Sequence, residues 1–149
     1  MKTRYNKILI VDDEEDVSWS ISKTLKRHDE LLDVQCVNRG DDASRLLETT
    51  TFDLIISDIR MPGKSGLELL DEIIAKHEKT FVILMTAYRT PEIELELKRK
   101  LNETENVRYI EKPFDIYDLK RMIFDDIDRH DETIAPVITN KHYSKSGQR

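Results

Sequence analysis

Five short apolar runs alternate along the chain with longer stretches whose apolar residues recur at helical spacing, and this alternation is the strongest constraint on the fold. The runs are Ile8–Val11, Leu32–Val37, Leu54–Ile56, Phe81–Met85 and Asn106–Ile110. Strands that alternate with helices predict a parallel sheet, covered on both faces and joined by right-handed crossovers. We therefore expect an α/β fold with a doubly wound, five-stranded parallel sheet. The strand order 2-1-3-4-5 is expected because it brings strands one and three together at the switch point.

Local signals predict where two of the helices begin and which helical residues face the sheet. Ser65 and Glu68 have the spacing of a capping box. Thr90 and Pro91 resemble an N-cap followed by a proline at the first helical position. The predicted inward-facing residues are Val17, Ile21, Leu25, Ala43, Leu46, Leu47, Leu67, Leu70, Ile74, Ile93, Leu97, Leu101, Leu119, Met122, Ile123 and Ile127.

The stretch from Ile93 to Leu101 fits two patterns. Apolar and acidic residues alternate at its start, as in a strand, whereas Ile93, Leu97 and Leu101 share one face of a helix. We choose the helix because its pattern continues through Leu101 and because Glu and Lys residues pair at helical spacing. This choice places Leu95 on the outer face.

Composition narrows the possible functions. A chain of 149 residues is most economically one domain, and its formal net charge of -6 argues against nucleic-acid binding by the whole surface, without excluding a local basic patch. Cys36 is the single cysteine, so we expect no disulfide framework and treat its thiol as a small hydrophobe in strand two. The chain lacks an apolar run of membrane-spanning length and an apolar N-terminal segment, which predicts a cytoplasmic protein.

Four of the five predicted strands end at polar or charged residues. These residues are Asp12 and Asp13 after strand one, Asp58 after strand three, Thr86 after strand four and Lys112 after strand five. In a parallel sheet these ends share one edge, where ligands of open α/β sheets bind. Clustered carboxylates repel each other unless a cation joins them, and oxygen ligands without clustered His or Cys suit Mg²⁺.

A magnesium site suggests phosphate chemistry, and the neighbouring groups fit it. Thr86 offers a hydroxyl donor and Lys112 a positive charge for phosphoryl oxygens, while Asp58 can take up a phosphoryl group as a carboxylate nucleophile. Each feature alone has a simpler explanation: Asp12 and Asp13 can cap a helix, and an Asp after a strand is commonly a turn residue. Their predicted meeting at one sheet edge favours a functional site.

The ordered set of motifs resembles the response-regulator receiver domain of two-component signalling. The matching segments are Ile8–Glu14, Ser57–Gly63, Met85–Ala87 and Tyr109–Phe114. Each segment is a weak signal, but the ordered set is specific and covers the chain from about Lys7 to Arg129. The resemblance implies a flavodoxin-like (β/α)5 fold, with residues 1–130 as a receiver domain of the stand-alone type. The remaining residues, 131–149, are interpreted as a polar tail or linker stub.

The resemblance also assigns roles at the predicted sheet edge. Asp58 would accept a phosphoryl group from the phosphohistidine of a sensor histidine kinase or of a histidine phosphotransfer protein. The implied Mg²⁺ ligands are Asp12 (largely through water), Asp13, Asp58 and the backbone carbonyl of Arg60. Lys112 would pair with Asp58 and then with its phosphate.

Further implied roles concern the switch and the lifetime of the phosphate. Thr86 would move toward the phosphate and Tyr109 would turn inward behind it. Arg60 and Tyr88 occupy loop positions that, in the family, influence how long the phosphate survives. The Lys112–Pro113 peptide bond is implied to be cis, which proline makes less costly.

The resulting prediction is a phosphorylation-dependent switch that is not a turnover enzyme and catalyses only its own phosphorylation and dephosphorylation. Its downstream partner is expected on the face formed by helix 4, strand 5 and helix 5. A phosphorylation-dependent homodimer is a possible assembly, and neither direct nucleic-acid binding nor membrane association is expected. The chain departs from the family between Thr86 and Lys112, where it is longer by roughly one helical turn.

Three other classes of protein compete with this interpretation. A phosphatase of the haloacid-dehalogenase type also uses Mg²⁺ and an Asp after a strand, but it would need an Asp-x-Asp motif where this chain has Asp12-Asp13-Glu14. A receiver-like binding module that is never phosphorylated is disfavoured by the complete set of acids, Thr86 and Lys112. A flavin-binding protein would need a phosphate-cradling loop after strand one, which is absent from the sequence.

Overall fold

The computed structural model describes residues 5–87 and 89–126, with only the backbone of 125 and 126. The strands are β1 (Lys7–Val11), β2 (Asp33–Val37), β3 (Leu54–Asp58), β4 (Phe81–Thr86) and β5 (Val107–Glu111). The helices are α1 (Glu15–His28), α2 (Gly40–Leu47), α3 (Gly66–Lys76), α4 (Pro91–Glu103) and α5 (Ile116–Arg121), which a π-helical turn over Met122–Asp126 extends. Within the described residues, no helix is long and apolar enough to cross a bilayer.

All neighbouring strands run parallel in the order β2-β1-β3-β4-β5, which confirms the predicted fold and strand order. The central strand β3 is buried along its whole length, as its uninterrupted apolar run predicts. The switch point lies between β1 and β3, where Val11 pairs with Ser57. This pairing brings the residues that follow β1 beside Asp58, the last residue of β3.

Two apolar layers cover the sheet because successive strand residues point to opposite faces. Leu54 and Ile56 of β3 belong to the layer beneath α1 and α5, together with Ile21 and Leu119. Ile55 belongs to the other layer. The helical residues that line this second layer come from α2, α3 and α4; they include Ala43, Leu47, Leu69, Leu70, Ile73 and Leu97. The doubly wound arrangement thus follows from strands that are apolar on both sides.

Side chains cap the starts of three helices, and two of these caps are the predicted ones. Ser65 and Glu68 form a complete capping box at the start of α3. Thr90 caps α4 ahead of Pro91, and Asp115 caps α5 by accepting a hydrogen bond from the backbone of Tyr117. The stretch from Ile93 to Leu101, whose sequence also fitted a strand, is helical.

Helix α4 packs as its predicted stripe requires. Leu97 is buried, whereas Leu95 is 70% exposed on the outer face. Ile93 and Leu101 are half-buried against the same layer. The uninterrupted stripe, rather than the short alternation, therefore decided the structure of this stretch.

Two details differ from the sequence-based expectation, and three predictions fall outside the described residues. In α3, Leu69, Leu70 and Ile73 are fully buried, whereas Leu67 and Ile74 are only partly so, because the helix is rotated by about one residue relative to the predicted stripe. Cys36 is exposed rather than packed as a hydrophobe, since it lies in the edge strand β2, none of whose residues is fully buried. Ile127, the tail 131–149 and the boundary at residue 130 lie outside the described residues.

Candidate functional site

The carboxyl ends of β1, β3 and β5 bring one lysine and three acids together. The Nζ atom of Lys112 lies 2.9 Å from Oδ2 of Asp12, 3.0 Å from Oε1 of Glu14 and 3.2 Å from Oδ2 of Asp58. Lys112 directly follows β5, while Asp12 directly follows β1 and Asp58 ends β3. The predicted meeting of Asp12, Asp58 and Lys112 at one edge of the sheet is therefore present.

The acids of this site form a group of oxygen ligands. Asp12, Glu14 and Asp58 each offer a carboxylate oxygen within 4.8 Å of the other two. This donor set fits Mg²⁺, which prefers a few carboxylates and keeps part of its water shell. Among the described residues no such group includes Asp13, whose side chain is exposed.

Glu14 was not assigned to the site from the sequence. Its side chain is 63% exposed and reaches the cluster through its bond to Lys112. Its backbone N–H donates to Oδ1 of Asp12 at 2.8 Å, so the turn at the start of α1 holds both acids. The run of acids after β1 was the available signal, but the turn geometry determines which of them point to the lysine.

Hydrogen bonds to the backbone groups of both buried aspartates help to fix their positions. The backbone N–H of Asp12 donates to the carbonyl of Val37 at 3.1 Å, which ties it to β2. The hydroxyl of Ser57 donates to the carbonyl of Asp58 at 2.9 Å. Asp58 is only 7% exposed, so its carboxylate is held in a partly dry environment at the end of the central strand.

Burial and charge act in opposite directions on the ionisation of this site. Burial raises the pKa of Asp58; the neighbouring charge of Lys112 opposes this rise, and the charge of Asp12 adds to it. Burial lowers the pKa of Lys112, but its bonds to Asp12 and Glu14 and the charge of Asp58 outweigh burial, so its pKa is raised. Lys112 therefore stays positively charged, and its charge favours the ionised form of the neighbouring Asp58 carboxylate.

The loop after β3 is packed against the strand end. The backbone N–H of Gly66 donates to the carbonyl of Ile59 at 2.8 Å, and a Cβ atom at Gly66 would lie 2.2 Å from the carbonyl oxygen of Asp58. Gly63 has φ of 78°, a left-handed conformation that glycine adopts without strain. Arg60 lies in this loop, two residues after Asp58, with an exposed side chain.

Thr86 and Tyr109 lie on the neighbouring strands. Thr86 ends β4 and is buried, and its carbonyl accepts the backbone N–H of Lys112 at 2.7 Å. Tyr109 is buried in β5, opposite Leu84. The Lys112–Pro113 peptide bond is cis, as the resemblance implied. Tyr88 lies outside the described residues.

A cavity of about 680 Å³ opens beside Lys112. It lies between α1 and the connection from β5 to α5, with Val17 and Ile21 on one side and Phe114 and Ile116 on the other. Glu14 forms part of its rim. The site therefore adjoins an apolar concave surface that is large enough to receive side chains of another molecule.

Comparison with known proteins gives a consistent result. The sequence profile of the response regulator receiver domain matches residues 8–124. The chain is 35% identical over 121 residues to the regulatory protein AtoC of Escherichia coli K12, and 32% identical over 127 residues to the DNA-binding transcriptional regulator NtrC of Klebsiella pneumoniae. These alignments cover 81% and 85% of this chain but only 25% and 26% of the relatives, so the chain spans about a quarter of their length.

Solved structures show the same relationship. A CheY-like response regulator receiver domain protein from Methanospirillum hungatei JF-1 has a TM-score of 0.73 at 26% identity, over 86% of this chain and 98% of that one. The receiver domain of Francisella response regulator 1452 has a TM-score of 0.65 at 27% identity, over 79% and 93% of the two chains.

Proposed function

Because this chain belongs to the family of response regulator receiver domains, we propose that Asp58 is the residue that carries its phosphoryl group. The family makes the chain a phosphorylation-dependent switch of two-component signalling rather than a classical enzyme, and the haloacid-dehalogenase and non-phosphorylated alternatives are not favoured. Its catalytic activity would be limited to its own phosphorylation and dephosphorylation.

The observation that carries this proposal is the contact of Lys112 with Asp58 and Asp12. A carboxylate oxygen of Asp58 would attack the phosphorus atom of the donor, and the bond from phosphorus to the donor imidazole would break. The electron pair of that bond would stay on the imidazole nitrogen, which takes a proton. Lys112 lies 3.2 Å from Oδ2 of Asp58, so the same ammonium group can turn to the incoming phosphoryl oxygens.

The donor set supports Mg²⁺ as the cofactor. We propose Asp12, Asp13, Asp58 and the backbone carbonyl of Arg60 as its ligands; Glu14 is an additional candidate because it belongs to the carboxylate group. When bound, the ion neutralises charge on the carboxylates and the phosphoryl oxygens. Asp13 is proposed by resemblance alone, since its exposed side chain lies outside that group.

Thr86 and Tyr109 are proposed as the switch residues. The hydroxyl of Thr86 would bind the phosphate on Asp58, and Tyr109 would stay buried behind it. Thr86 ends β4 and pairs with Glu111, two residues beyond Tyr109 on the adjacent strand β5. A shift of Thr86 would therefore change the space next to Tyr109. Arg60 and Tyr88 are proposed to control access of water to the phosphate, and thereby its lifetime.

Partners are proposed from the family and from the shape of the site. A sensor histidine kinase or histidine phosphotransfer protein would donate the phosphoryl group, with the cavity between α1 and Phe114 available to receive it. A downstream protein would bind the face of α4, β5 and α5, and phosphorylation could bring two copies together there. We propose a cytoplasmic location for this chain, with no membrane contact and no direct contact with nucleic acid.

Incubation with acetyl phosphate and Mg²⁺, followed by intact-mass measurement, tests the proposal. The wild type is expected to gain the mass of one phosphoryl group, and Asp58→Asn is expected to lose this gain. Asp33→Asn, which changes an exposed aspartate at the start of β2, is the matched control and should be labelled like the wild type. A wild type that stays unmodified and is also inert toward a phosphorylated kinase and beryllofluoride would refute the proposal.

A further inference from the structure

The connection between β4 and α4 contains an arginine that contacts three groups on two other elements. The guanidinium group of Arg89 forms an ion pair with Glu94 of α4. It lies 3.4 Å from Oε2 of Glu111 and donates a hydrogen bond of 3.1 Å to the hydroxyl of Tyr109. Its central carbon also lies 5.3 Å from the centroid of the Tyr109 ring.

The contacts of Arg89 converge on a buried tyrosine. Tyr109 is 5% exposed, and the arginine lies over its ring while also binding its hydroxyl. A planar guanidinium group can serve a hydroxyl and two carboxylates at once because its donors point in several directions. Lysine, with a single ammonium group, cannot reproduce this set of contacts.

Arg89 connects Tyr109 with α4 and with the end of β5. It precedes α4 by two residues, Glu94 lies in the first turns of α4, and Glu111 ends β5. A movement of Tyr109 away from its buried position would break the bond to Arg89 and leave the guanidinium group shared between the two glutamates. Coupling of this kind is reciprocal, so a displacement of α4 would also loosen the hold on Tyr109.

We propose that Arg89 is a positioning residue that holds Tyr109 in its buried position and ties that position to α4 through Glu94 and to the end of β5 through Glu111. The inference deepens the proposed function and rests on it only for the role of Tyr109 in the switch. The loss of Arg89 releases Tyr109 toward solvent and weakens the link between the phosphorylation site and the α4 surface.

Fluorine NMR of the protein labelled with 3-fluorotyrosine tests the position of Tyr109 directly. The Tyr109 signal is assigned with Tyr109→Phe, and its exposure is measured with a soluble paramagnetic agent. Arg89→Met is expected to shift this signal and to increase its paramagnetic broadening. Arg99→Met is the matched control, because Arg99 is an exposed arginine of α4 that pairs with Glu96 and Glu103 and should leave the signal unchanged.

A second variant keeps the test decisive if Arg89→Met unfolds. In the double variant Glu94→Gln/Glu111→Gln, Arg89 remains but its two anchoring carboxylates are neutral. We expect the Tyr109 signal to move in the same direction as in Arg89→Met, by a smaller amount. An unchanged signal and unchanged broadening in the folded variants would overturn the proposal.

Beryllofluoride binding separates this inference from the proposed function. With Mg²⁺ present, Arg89→Met is expected to bind beryllofluoride about fivefold more weakly than the wild type, which is the lower end of typical coupling between sites. Equal binding by a variant that has released Tyr109 would overturn the link to the switch. If the wild type itself fails to bind, the proposed function fails, while the fluorine signals still decide whether Arg89 holds Tyr109.

Discussion

The Nζ atom of Lys112 lies 3.2 Å from Oδ2 of Asp58, although 54 residues separate the two in the sequence. The parallel sheet makes this contact possible, because β3 and β5 both end at the edge that carries Asp12. Among the described residues of this site, Lys112 is the cation that pairs with all three carboxylates, those of Asp12, Glu14 and Asp58. Its positive charge therefore offsets the electrostatic repulsion among the three carboxylates.

Lys112→Met should destabilise the fold when Mg²⁺ is removed. The variant leaves three neighbouring carboxylates without their shared cation, and we expect the free energy of unfolding in EDTA to fall by about 1.5–3 kcal/mol. Mg²⁺ should then raise the melting temperature more in the variant than in the wild type, since the lysine no longer competes for the same oxygens. Thermal unfolding with and without Mg²⁺ measures both effects, with Lys98→Met, at an exposed lysine of α4, as the control.

Asp58→Asn should stabilise the fold at neutral pH in the absence of Mg²⁺. Because burial raises the pKa of Asp58 above its ordinary value of 3.8, the folded state binds the proton more tightly than the unfolded state. The resulting stabilisation is complete below that ordinary value and is lost as the pH rises through the folded pKa.

At pH 7.5 the ionised carboxylate therefore opposes folding, and the amide removes this opposition. Melting temperatures of Asp58→Asn and the wild type should differ at pH 7.5 and converge toward pH 4. A variant that melts at or below the wild-type temperature at pH 7.5 would show that the bond to Lys112 outweighs burial.

Asp13→Asn and Glu14→Gln distinguish two ways of completing the metal site. Asp13 is proposed from the family resemblance, whereas Glu14 lies in the carboxylate group but also binds Lys112. We expect Asp13→Asn to weaken Mg²⁺ binding by about tenfold, or ~1.4 kcal/mol, and Glu14→Gln to change it little. Calorimetric titration of both variants measures this, and the reverse order of effects would replace Asp13 by Glu14 as the ligand.

Gly66→Ala should disturb the site through the backbone. The added methyl group would lie 2.2 Å from the carbonyl oxygen of Asp58, so either α3 or the end of β3 must shift. We expect a loss of about 1–3 kcal/mol in the free energy of unfolding and weaker Mg²⁺ binding. Denaturant titration and calorimetry test this against Lys76→Ala, an exposed change in the same helix; wild-type values for Gly66→Ala would contradict the close packing.

Much of the fold was predictable because strands that are buried on both faces of the sheet appear in the sequence as uninterrupted apolar runs. The alternation of apolar runs with helical stripes predicted the sheet, and the need for a switch point between strands one and three predicted its order. The polar residues at the strand ends predicted the meeting of Asp58 with Lys112. The rotation of α3 was not predictable, since Leu67, Leu69 and Leu70 offer several equally apolar faces. The final face depends on how the whole helix packs against the sheet.

Side chains on loops were the part of the site that the sequence could not locate. Glu14 reaches Lys112 because the turn that leads into α1 directs it there, and the acidic run alone does not distinguish it from Asp13. Arg89 is separated from Tyr109 and Glu111 by the whole of α4. Their contact depends on the course of the β4–α4 connection, for which the sequence contains no periodic signal.

Chemical trapping of the phosphorylated residue tests the central claim most directly. After treatment with acetyl phosphate and Mg²⁺, borohydride reduces an aspartyl phosphate to homoserine, which peptide mass spectrometry can locate. We predict conversion at position 58 in the wild type and in Arg99→Met, and none in Asp58→Asn. Conversion at Asp12 or Asp13, or no conversion in a wild type that is folded and binds Mg²⁺, would contradict the assignment of Asp58.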